Sequence, residues 1–263
     1  MSPRNYEYRG LLASTWDLLR GDTSGWEDRP FYLEIIARYG QPALDVGCGT
    51  GRLLLDYLSA GIDIDGVDNS PEMLAFCREK ARRLGLHPAL FQQQMESLDL
   101  PRKYRTVIVP SSSFQLMIDP GLASQAMRRF FEYLEPGGAL VMSFMILWRP
   151  GDPQQTDWKL AVERVRPEDG AVVRRRSRAW YDVERQIEHS EDRYEVLVNG
   201  VLVASEHHRR SPATRWYTTA PGRGPLSGGR LLRDPRICWI SASTRIGRAY
   251  PLHGAWDKRL GSG

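Results

Sequence analysis

Five short apolar segments, separated by stretches of helical periodicity, lie between residues 42 and 147. The segments are PALDVG, IDIDGVD, ALFQQQM, YRTVIVPSSS and ALVMSFMIL. Parallel strands joined by helices are covered on both faces, so their apolar residues run continuously instead of alternating. The pattern predicts an α/β chain built on a Rossmann-like, doubly wound, mostly parallel sheet with helices on both faces.

After the fifth apolar segment the sequence changes to a period of two, which is typical of half-buried strands. The dipeptide Asn-Gly at 199–200 is the strongest short hairpin signal in the chain and favours a type I′ turn. Counting outward from this turn pairs Val198 with Val201 and Val196 with Val203. We therefore predict an antiparallel β insertion after strand 5.

The composition excludes several classes of protein. Of the 263 residues, 41% are apolar, and no apolar run approaches the length of a membrane helix. The N-terminus, MSPRNYEYRG, has no apolar segment, so we expect no signal peptide, no membrane partner and a cytoplasmic location. Three cysteines, Cys48, Cys77 and Cys238, are too few and too scattered for a disulfide framework or a metal site.

The net charge of +4 belongs to the C-terminal end of the chain. From residue 218 onward there are eight Lys or Arg residues and only two Asp residues, and the remainder of the chain is close to neutral. Nucleic-acid-binding domains carry a basic patch or stripe on the folded unit. The charge distribution therefore argues against a nucleic-acid partner.

A glycine-rich loop, ALDVGCGTGR, follows the first strand. It has the pattern D-x-G-x-G-x-G, formed by Asp45, Gly47, Gly49 and Gly51. A dinucleotide-binding fingerprint needs a further glycine where Arg52 stands, and a P-loop needs a lysine that this loop lacks. An acid ahead of the glycines repels a phosphate and suits a ligand with a positive amino or sulfonium group.

At these residues the chain resembles the class I S-adenosylmethionine-dependent methyltransferases. ALDVGCGTGRLLL is similar to their first motif, and GVDNSPEML is similar to their second motif. The resemblance covers residues 8 to 148, with a looser match to about 217. It implies S-adenosylmethionine as the cofactor, with its amino group at Asp45, directly or through water, and its ribose hydroxyls at Asp68. Asp68 follows Gly49 by 19 residues, near the ~20-residue offset of a ribose-binding acid.

The resemblance implies a larger set of cofactor-binding candidates. They are Trp16, Asp45, Gly47, Cys48, Gly49, Gly51, Asp68, Asn69, Met73, Gln94, Met95 and Ser111. Some have a second interpretation: Met73 as a core residue of its helix, Ser111 as the cap of a turn, and Trp16 as a buried side chain of a surface helix. Gln94 departs from the family, which often has an acid there.

The segment after strand 4 bears on the methyl acceptor. Enzymes that methylate DNA bases or protein glutamine carry N/D-P-P-Y/F there, whereas this chain has Pro110 followed by three serines. The segment looks more like that of small-molecule methyltransferases, including the amino-sugar N-methyltransferases. We predict methyl transfer to N or O of a small molecule, and a homodimer is compatible with this prediction. No catalytic base is assigned, because an amine acceptor needs only to arrive neutral.

Two alternatives remain open from the sequence. One is a catalytically silent S-adenosylmethionine-binding regulatory protein. The other is an RNA or DNA methyltransferase, which only the basic C-terminal end supports.

The predicted domains are a cofactor-binding core with an N-terminal helical cap (1–149), an antiparallel insertion or substrate lid (150–217), and an atypical tail (218–263). The tail is rich in Gly, Pro and Arg, and only ICWISAST in it is typical of a strand. Such a composition is expected of a GC-rich gene read out of frame, so our hypothesis is that the tail is not the family's usual ending. Without the family's usual ending, strand 5 would be exposed. Sequencing the gene tests this hypothesis.

Overall fold

A computed structural model describes residues 7–145, 148 and 151–210, together with the backbone of 237–242. Its larger sheet is parallel throughout and has the strand order β10-β5-β4-β1-β2-β3. The strands are β1 (Ala43–Val46), β2 (Ile64–Asp68), β3 (Leu90–Gln92), β4 (Tyr104–Val109), β5 (Leu134–Met145) and β10 (Ile237–Ala242). The predicted Rossmann-like α/β core is confirmed.

Helices cover both faces of this sheet. They are α1 (Gly10–Ser14), α2 (Trp16–Arg20), α3 (Asp28–Tyr39), α4 (Leu54–Ser59), α5 (Pro71–Arg83) and α6 (Pro120–Tyr133). Helix α5 begins directly after Ser70, whose hydroxyl caps it by accepting a hydrogen bond from the Met73 amide at 3.1 Å. Asp119 caps α6 in the same way through the Leu122 amide, at 2.9 Å.

The antiparallel insertion after strand 5 is also confirmed. It is a four-stranded sheet of order β6-β7-β8-β9, with β6 (Lys159–Val165), β7 (Val172–Asp182), β8 (Ile187–Val198) and β9 (Val201–Arg210). Val198 pairs with Val201, as predicted, but Val196 pairs with Ala204 and not with Val203. The prediction was wrong there because a register shift beside Leu197 adds one residue to β9.

Three apolar clusters hold these layers together. Two lie against opposite faces of the parallel sheet, one around Phe114 and Phe130 and the other around Tyr32 and Leu54. The third joins the antiparallel sheet to α1 and α2. Its members are Leu12, Leu19, Ala171, Val173, Tyr194 and Val196. The N-terminal helices therefore lie between the antiparallel sheet and the parallel core.

The described part of the tail is β10, which pairs in parallel with β5. The expected exposure of strand 5 is therefore wrong, because the strand-forming segment of the tail covers that edge. The rest of the predicted tail, and the end of the predicted lid after Arg210, lie outside the described residues. In the described part of the chain, no helix is long and apolar enough to cross a membrane.

Candidate functional site

The glycine loop connects the end of β1 to α4 at the carboxyl edge of the parallel sheet. The amides of Gly47 and Cys48 both donate to the carbonyl of Val67 at the end of β2, at 2.8 and 3.0 Å. This pairing fixes the loop against the neighbouring strand. The crevice outside the carboxyl ends of parallel strands is where open α/β sheets bind their ligands.

Gly51 is needed at its position for two reasons. Its φ of +83° lies in the left-handed region, which residues other than glycine adopt only at a cost in free energy. A Cβ there would also lie 2.6 Å from the Cys77 Sγ and 2.8 Å from the Leu55 Cγ. The close contact between the loop and the helices beside it therefore requires glycine.

Asp45 is the most unusual group of the site. It is 1% exposed, and its Oδ1 has no hydrogen-bond partner. Burial raises the pKa of this carboxyl group to about 7, an effect that Arg52 opposes and Asp68 reinforces. Arg52 is already engaged in a two-pronged ion pair with Asp28, at 2.9 and 2.5 Å. A buried carboxyl oxygen without a partner is costly, so this position fits a ligand group that is positively charged or donates a hydrogen bond.

Asp68 lies at the end of β2 and is fixed by two backbone amides. Gly49 donates to its Oδ2 and Ser70 to its Oδ1, both at 2.9 Å. Burial raises the pKa of Asp68, and these hydrogen bonds oppose the shift. Two other acids nearby in the sequence, Asp63 and Asp65, are instead bound to Arg102. Asp68 is thus the oriented carboxylate next to the glycine loop.

Two methionines approach the same loop. The Cε of Met73 lies 3.3 Å from the position that a Cβ on Gly49 would take, and the Cε of Met95 lies 3.7 Å from the position of one on Gly47. Met73 is buried, whereas Met95 is partly exposed. Both therefore lie close to the loop, as a cofactor pocket requires.

Three other candidates are placed by the backbone. Asn69 directly follows Asp68 and is partly exposed. Gln94 lies before the short 3-10 turn Met95–Ser97 and is also partly exposed. Cys48 is buried, with its Sγ 3.0 Å from the position of a Cβ on Gly66 in β2, so its side chain fills the space under the loop.

Helix α2 reaches the glycine loop from the N-terminal side. Asp17 accepts a hydrogen bond from the Thr50 hydroxyl at 2.7 Å and forms an ion pair with Lys80 of α5 at 2.6 Å. Trp16 packs against Tyr8, with ring centroids 4.9 Å apart. Trp16 is therefore part of a helix that is tied to the loop.

Ser111 and Ser112 follow β4 in a strained conformation, with φ of +55° and +59°. Ser111 is exposed and accepts a hydrogen bond from Arg20 of α2 at 3.1 Å. Ser112 is buried, and its amide donates to the Ser143 hydroxyl at 3.1 Å. Strain of this kind in non-glycine residues is concentrated at functional sites.

The comparisons with known proteins agree with this geometry. Residues 43–138, from the start of β1 to the first part of β5, match the family described as "Methyltransferase domain". This segment is therefore similar to a methyltransferase domain. Solved S-adenosylmethionine-dependent methyltransferases share its fold.

Three similar proteins illustrate the likeness. A dTDP-3-amino-3,4,6-trideoxy-alpha-D-glucopyranose N,N-dimethyltransferase of Streptomyces venezuelae is 33% identical over 99 residues, which are 38% of this chain and 40% of that protein. A glycine/sarcosine N-methyltransferase of Halorhodospira halochloris is 26% identical over 140 residues, 52% of each chain. The sugar N-methyltransferase KedS8 from Streptoalloteichus sp ATCC 53650 superposes with a TM-score of 0.61 at 23% identity, over 78% of this chain and 81% of that one.

The chain spans about half the length of the curated relatives that it matches. The match to the methyltransferase domain includes the glycine loop and the end of β2, and it ends before the antiparallel sheet begins.

Two residues beside the candidate site, Thr50 and Arg20, were not predicted from the sequence. Thr50 connects the glycine loop to Asp17 of α2, and Arg20 connects α2 to Ser111. Arg20 follows Trp16 by four residues, which places both side chains on one helix face. That spacing is the sequence signal that could have identified Arg20.

Other polar groups are occupied elsewhere. His207 and His208 are adjacent in β9 and so face opposite sides of the strand. His207 lies 3.5 Å from Glu191, and His208 lies 3.0 Å from Glu206. The arginine cluster of β7 is largely paired, with Arg174 bound to Glu195 at 2.5 Å. These ion pairs account for the charged side chains that form them, and no substrate is needed to explain those side chains.

Proposed function

We propose that this chain is an S-adenosylmethionine-dependent methyltransferase that transfers a methyl group to a nitrogen atom of a small molecule. One observation carries the proposal: the buried carboxyl group of Asp45, whose Oδ1 has no hydrogen-bond partner, lies directly before a loop of three positive-φ glycines. A phosphate ligand would be repelled there, whereas an ammonium group would supply the missing partner.

The residues of the loop fit this cofactor. The α-amino group of the cofactor's methionine part is a cation at neutral pH, and its charge is opposite to that of the Asp45 carboxylate. Gly47 and Gly49 are partly exposed, so their backbone offers a surface without side chains on which a ligand can lie closely.

The remaining candidates have roles that follow from their positions. Asp68, held by two amides, has lone pairs left to accept from ribose hydroxyls. Asn69, Met73, Gln94 and Met95 lie after β2 and β3 and would flank the adenine. Trp16 and Ser111 lie at the other end of the loop, toward the methionine part and the acceptor.

The cofactor supplies an activated methyl group on a positively charged sulfur. The work of the protein is then to align the acceptor in line with that methyl group and to exclude water. Among the described residues, the strained turn at Ser111 and Ser112 lies at the sheet edge where an acceptor would be held. A neutral amine needs no additional base for this displacement.

The choice of nitrogen and of a small acceptor rests on the relatives. Those named above act, by their names, on an amino sugar, on glycine or sarcosine, and on a sugar nitrogen. We accordingly propose residues 1–149 as the cofactor-binding unit with its cap and 150–217 as the substrate lid. The packing of α1 and α2 against β7 and β8 supports a lid that closes together with the N-terminal helices.

Two measurements test the proposal in sequence. Calorimetric titration with S-adenosylhomocysteine and with NAD should show binding of the first only, and binding of NAD alone would refute it. Incubation with S-adenosylmethionine and a panel of amino sugars, nucleotide-linked amino sugars, amino acids and phenols follows, with mass-spectrometric detection of methylated product. Methylation of an amine confirms the proposal, exclusive methylation of phenols corrects the acceptor atom, and binding without any product favours the silent regulatory alternative.

A further inference from the structure

The antiparallel sheet has a charged face on the side opposite to α1 and α2. Val173 of β7 packs on these helices. Because side chains alternate along a strand, Arg174, Arg176 and Arg178 lie on the other face, which we call the outer face. Along this stretch of β7 the outer face carries five arginines and three glutamates: Arg174, Arg176, Arg178, Arg193, Arg209, Glu163, Glu191 and Glu195. It therefore has an excess of positive charge.

Two of these arginines stand directly opposite each other in the middle of the outer face. Arg176 of β7 pairs with Arg193 of β8, and Arg193 pairs on its other side with His207 of β9. Like charges in directly opposite positions destabilise a sheet. Arg193 is exposed and Arg176 is partly exposed, so both side chains are accessible to a ligand.

The carboxylates of the outer face do not neutralise Arg176 and Arg193. Glu191 and Glu195 are the buried carboxylates beside them, and both are bound to other arginines. These ion pairs join Glu191 to Arg178 at 2.6 Å and to Arg209 at 3.0 Å, and Glu195 to Arg174 at 2.5 Å. Among the described residues, no carboxylate forms an ion pair with Arg176 or Arg193. Their guanidinium groups therefore keep N–H donors for an external acceptor.

The side chain of Trp158 lies across the outer face. Trp158 immediately precedes β6, yet its ring centroid lies 5.1 Å from the Cζ of Arg193 on β8 and 5.9 Å from the ring centroid of His207 on β9. The Cζ of Arg178 is also 5.1 Å from this centroid. Contacts between a cation and an aromatic ring stabilise the position of the guanidinium group. The indole ring therefore orients Arg193 and forms an apolar surface beside it.

We propose that Arg176 and Arg193, together with Trp158, bind an oligophosphate group. Two guanidinium groups without counter-ions match a ligand with at least two negative charges, and arginine binds phosphate through paired N–H donors. A free oligophosphate and a nucleotide share this chemistry, and the base of a nucleotide can also stack on the indole ring. The site lies on the face of the sheet opposite to α1 and α2, so the inference goes beyond the proposed function and does not rest on it.

Calorimetric titration with tripolyphosphate tests this site. We expect the wild-type chain to bind tripolyphosphate, and Arg176→Gln and Arg193→Gln each to lose about 10- to 100-fold in affinity, which corresponds to one charge-assisted hydrogen bond. Titration with ATP distinguishes the two sources of the ligand. Equal affinity for both probes supports recognition of the phosphate chain alone, whereas tighter binding of ATP that is lost in Trp158→Leu supports recognition of a nucleotide.

Arg128→Gln is the matched control, because it removes one positive charge from α6, where Arg128 donates a hydrogen bond to Ser124. It should leave the affinity for tripolyphosphate unchanged. Urea unfolding checks the fold of the variants, and Arg176→Gln should be at least as stable as wild type because a repulsion between like charges is removed.

Three results would overturn the inference: no binding of tripolyphosphate by the wild-type chain, unchanged affinity in both Arg176→Gln and Arg193→Gln, or an equal loss in Arg128→Gln. The variants of the outer face should keep the affinity of wild type for S-adenosylhomocysteine. A wild-type chain that binds tripolyphosphate but not S-adenosylhomocysteine refutes the proposed function and supports this site, so the two failures are distinguishable.

Discussion

At the scale of single residues, Asp45 links ligand binding to the stability of the protein. The pKa of its carboxyl group is about 7 in the folded chain, against an ordinary value near 3.8. At a pH between these two pKa values, the Asp45 carboxyl group is protonated in the folded state and ionised in the unfolded state. The stabilisation from this proton is therefore present at low pH and is lost as the pH rises through 7, by on the order of 4 kcal/mol.

Asp45→Asn should remove this pH dependence. It should also make the ligand-free protein more stable while weakening cofactor binding. We expect the ligand-free variant to be about 2 kcal/mol more stable than wild type at pH 8, because no charge is buried. Its affinity for S-adenosylhomocysteine should fall at least tenfold. Urea unfolding at pH 5.5 and pH 8, with calorimetry, measures both effects, and a less stable variant at pH 8 would contradict the account.

Gly51→Ala tests the close packing under the loop. A Cβ at Gly51 meets Cys77 and Leu55 at less than 3 Å, so we expect a loss of about 2–4 kcal/mol in the free energy of unfolding. Gly61→Ala is the matched control, since Gly61 also has a positive φ of 79° but nothing within 4 Å of the new atom. It should lose only about 1 kcal/mol. Equal losses in the two variants would show that backbone strain alone explains Gly51.

The sequence was sufficient to predict the groups that follow the strands of the parallel sheet. Asp45 and Asp68 were found because their spacing from the glycines is fixed by the chain itself. Arg20 was missed because its importance depends on Trp26 and Ser111, which come from two other segments. Contacts between three such segments can be recognised only when the chain is folded.

At the scale of helices and strands, α1 is stabilised from outside. It has only five residues, and its first amides donate to two distant carboxylates: Gly10 to Glu72 of α5 and Leu11 to Glu206 of β9, both at 2.7 Å. Acids near a helix N-terminus satisfy its free amides and its dipole. A helix this short depends on such partners.

Glu206→Ala should therefore release α1 from the antiparallel sheet. We expect a loss of about 1 kcal/mol in the free energy of unfolding and faster hydrogen exchange in residues 10–20. Glu206→Gln should cost less, because its carbonyl still accepts from Leu11. Glu163→Ala, on the exposed face of β6, is the control and should change neither quantity. Unchanged exchange in Glu206→Ala would show that packing alone holds the helix.

The positions of helices and strands were easier to predict from the sequence than the residue pairing between neighbouring strands. Ser70 and Pro71 mark the start of α5 by local rules, and the structure follows them. The hairpin was predicted from its Asn-Gly turn, but the shift beside Leu197 depends on pairing along the whole of β8 and β9. No signal within four residues of the turn could indicate it.

At the scale of the whole molecule, α1 and α2 join two sheets that share no strand. They pack on the antiparallel sheet through Leu12 and Leu19, and they contact the parallel core through Asp17.

We expect S-adenosylhomocysteine at 100 times its Kd to raise the free energy of unfolding by about 2.7 kcal/mol.

The same ligand should slow hydrogen exchange in residues 10–20 and in the glycine loop. The hairpin at residues 198–203, whose side chains are exposed, should serve as the internal reference and stay unchanged. Protection of the glycine loop without protection of residues 10–20 would argue against a shared closure of helices and core.

Helix α2 is held at Thr50 by Asp17 and at Ser111 by Arg20. If the proposed cofactor binds between the glycine loop and this helix, we expect it to leave only after both contacts have broken. The departure of one five-residue helix would then set an upper limit on kcat, however fast the methyl transfer itself is. Asp17→Ala, which removes the acceptor of the Thr50 hydroxyl, would shorten the residence time of the product, and the chain would exchange its cofactor faster while binding it less tightly.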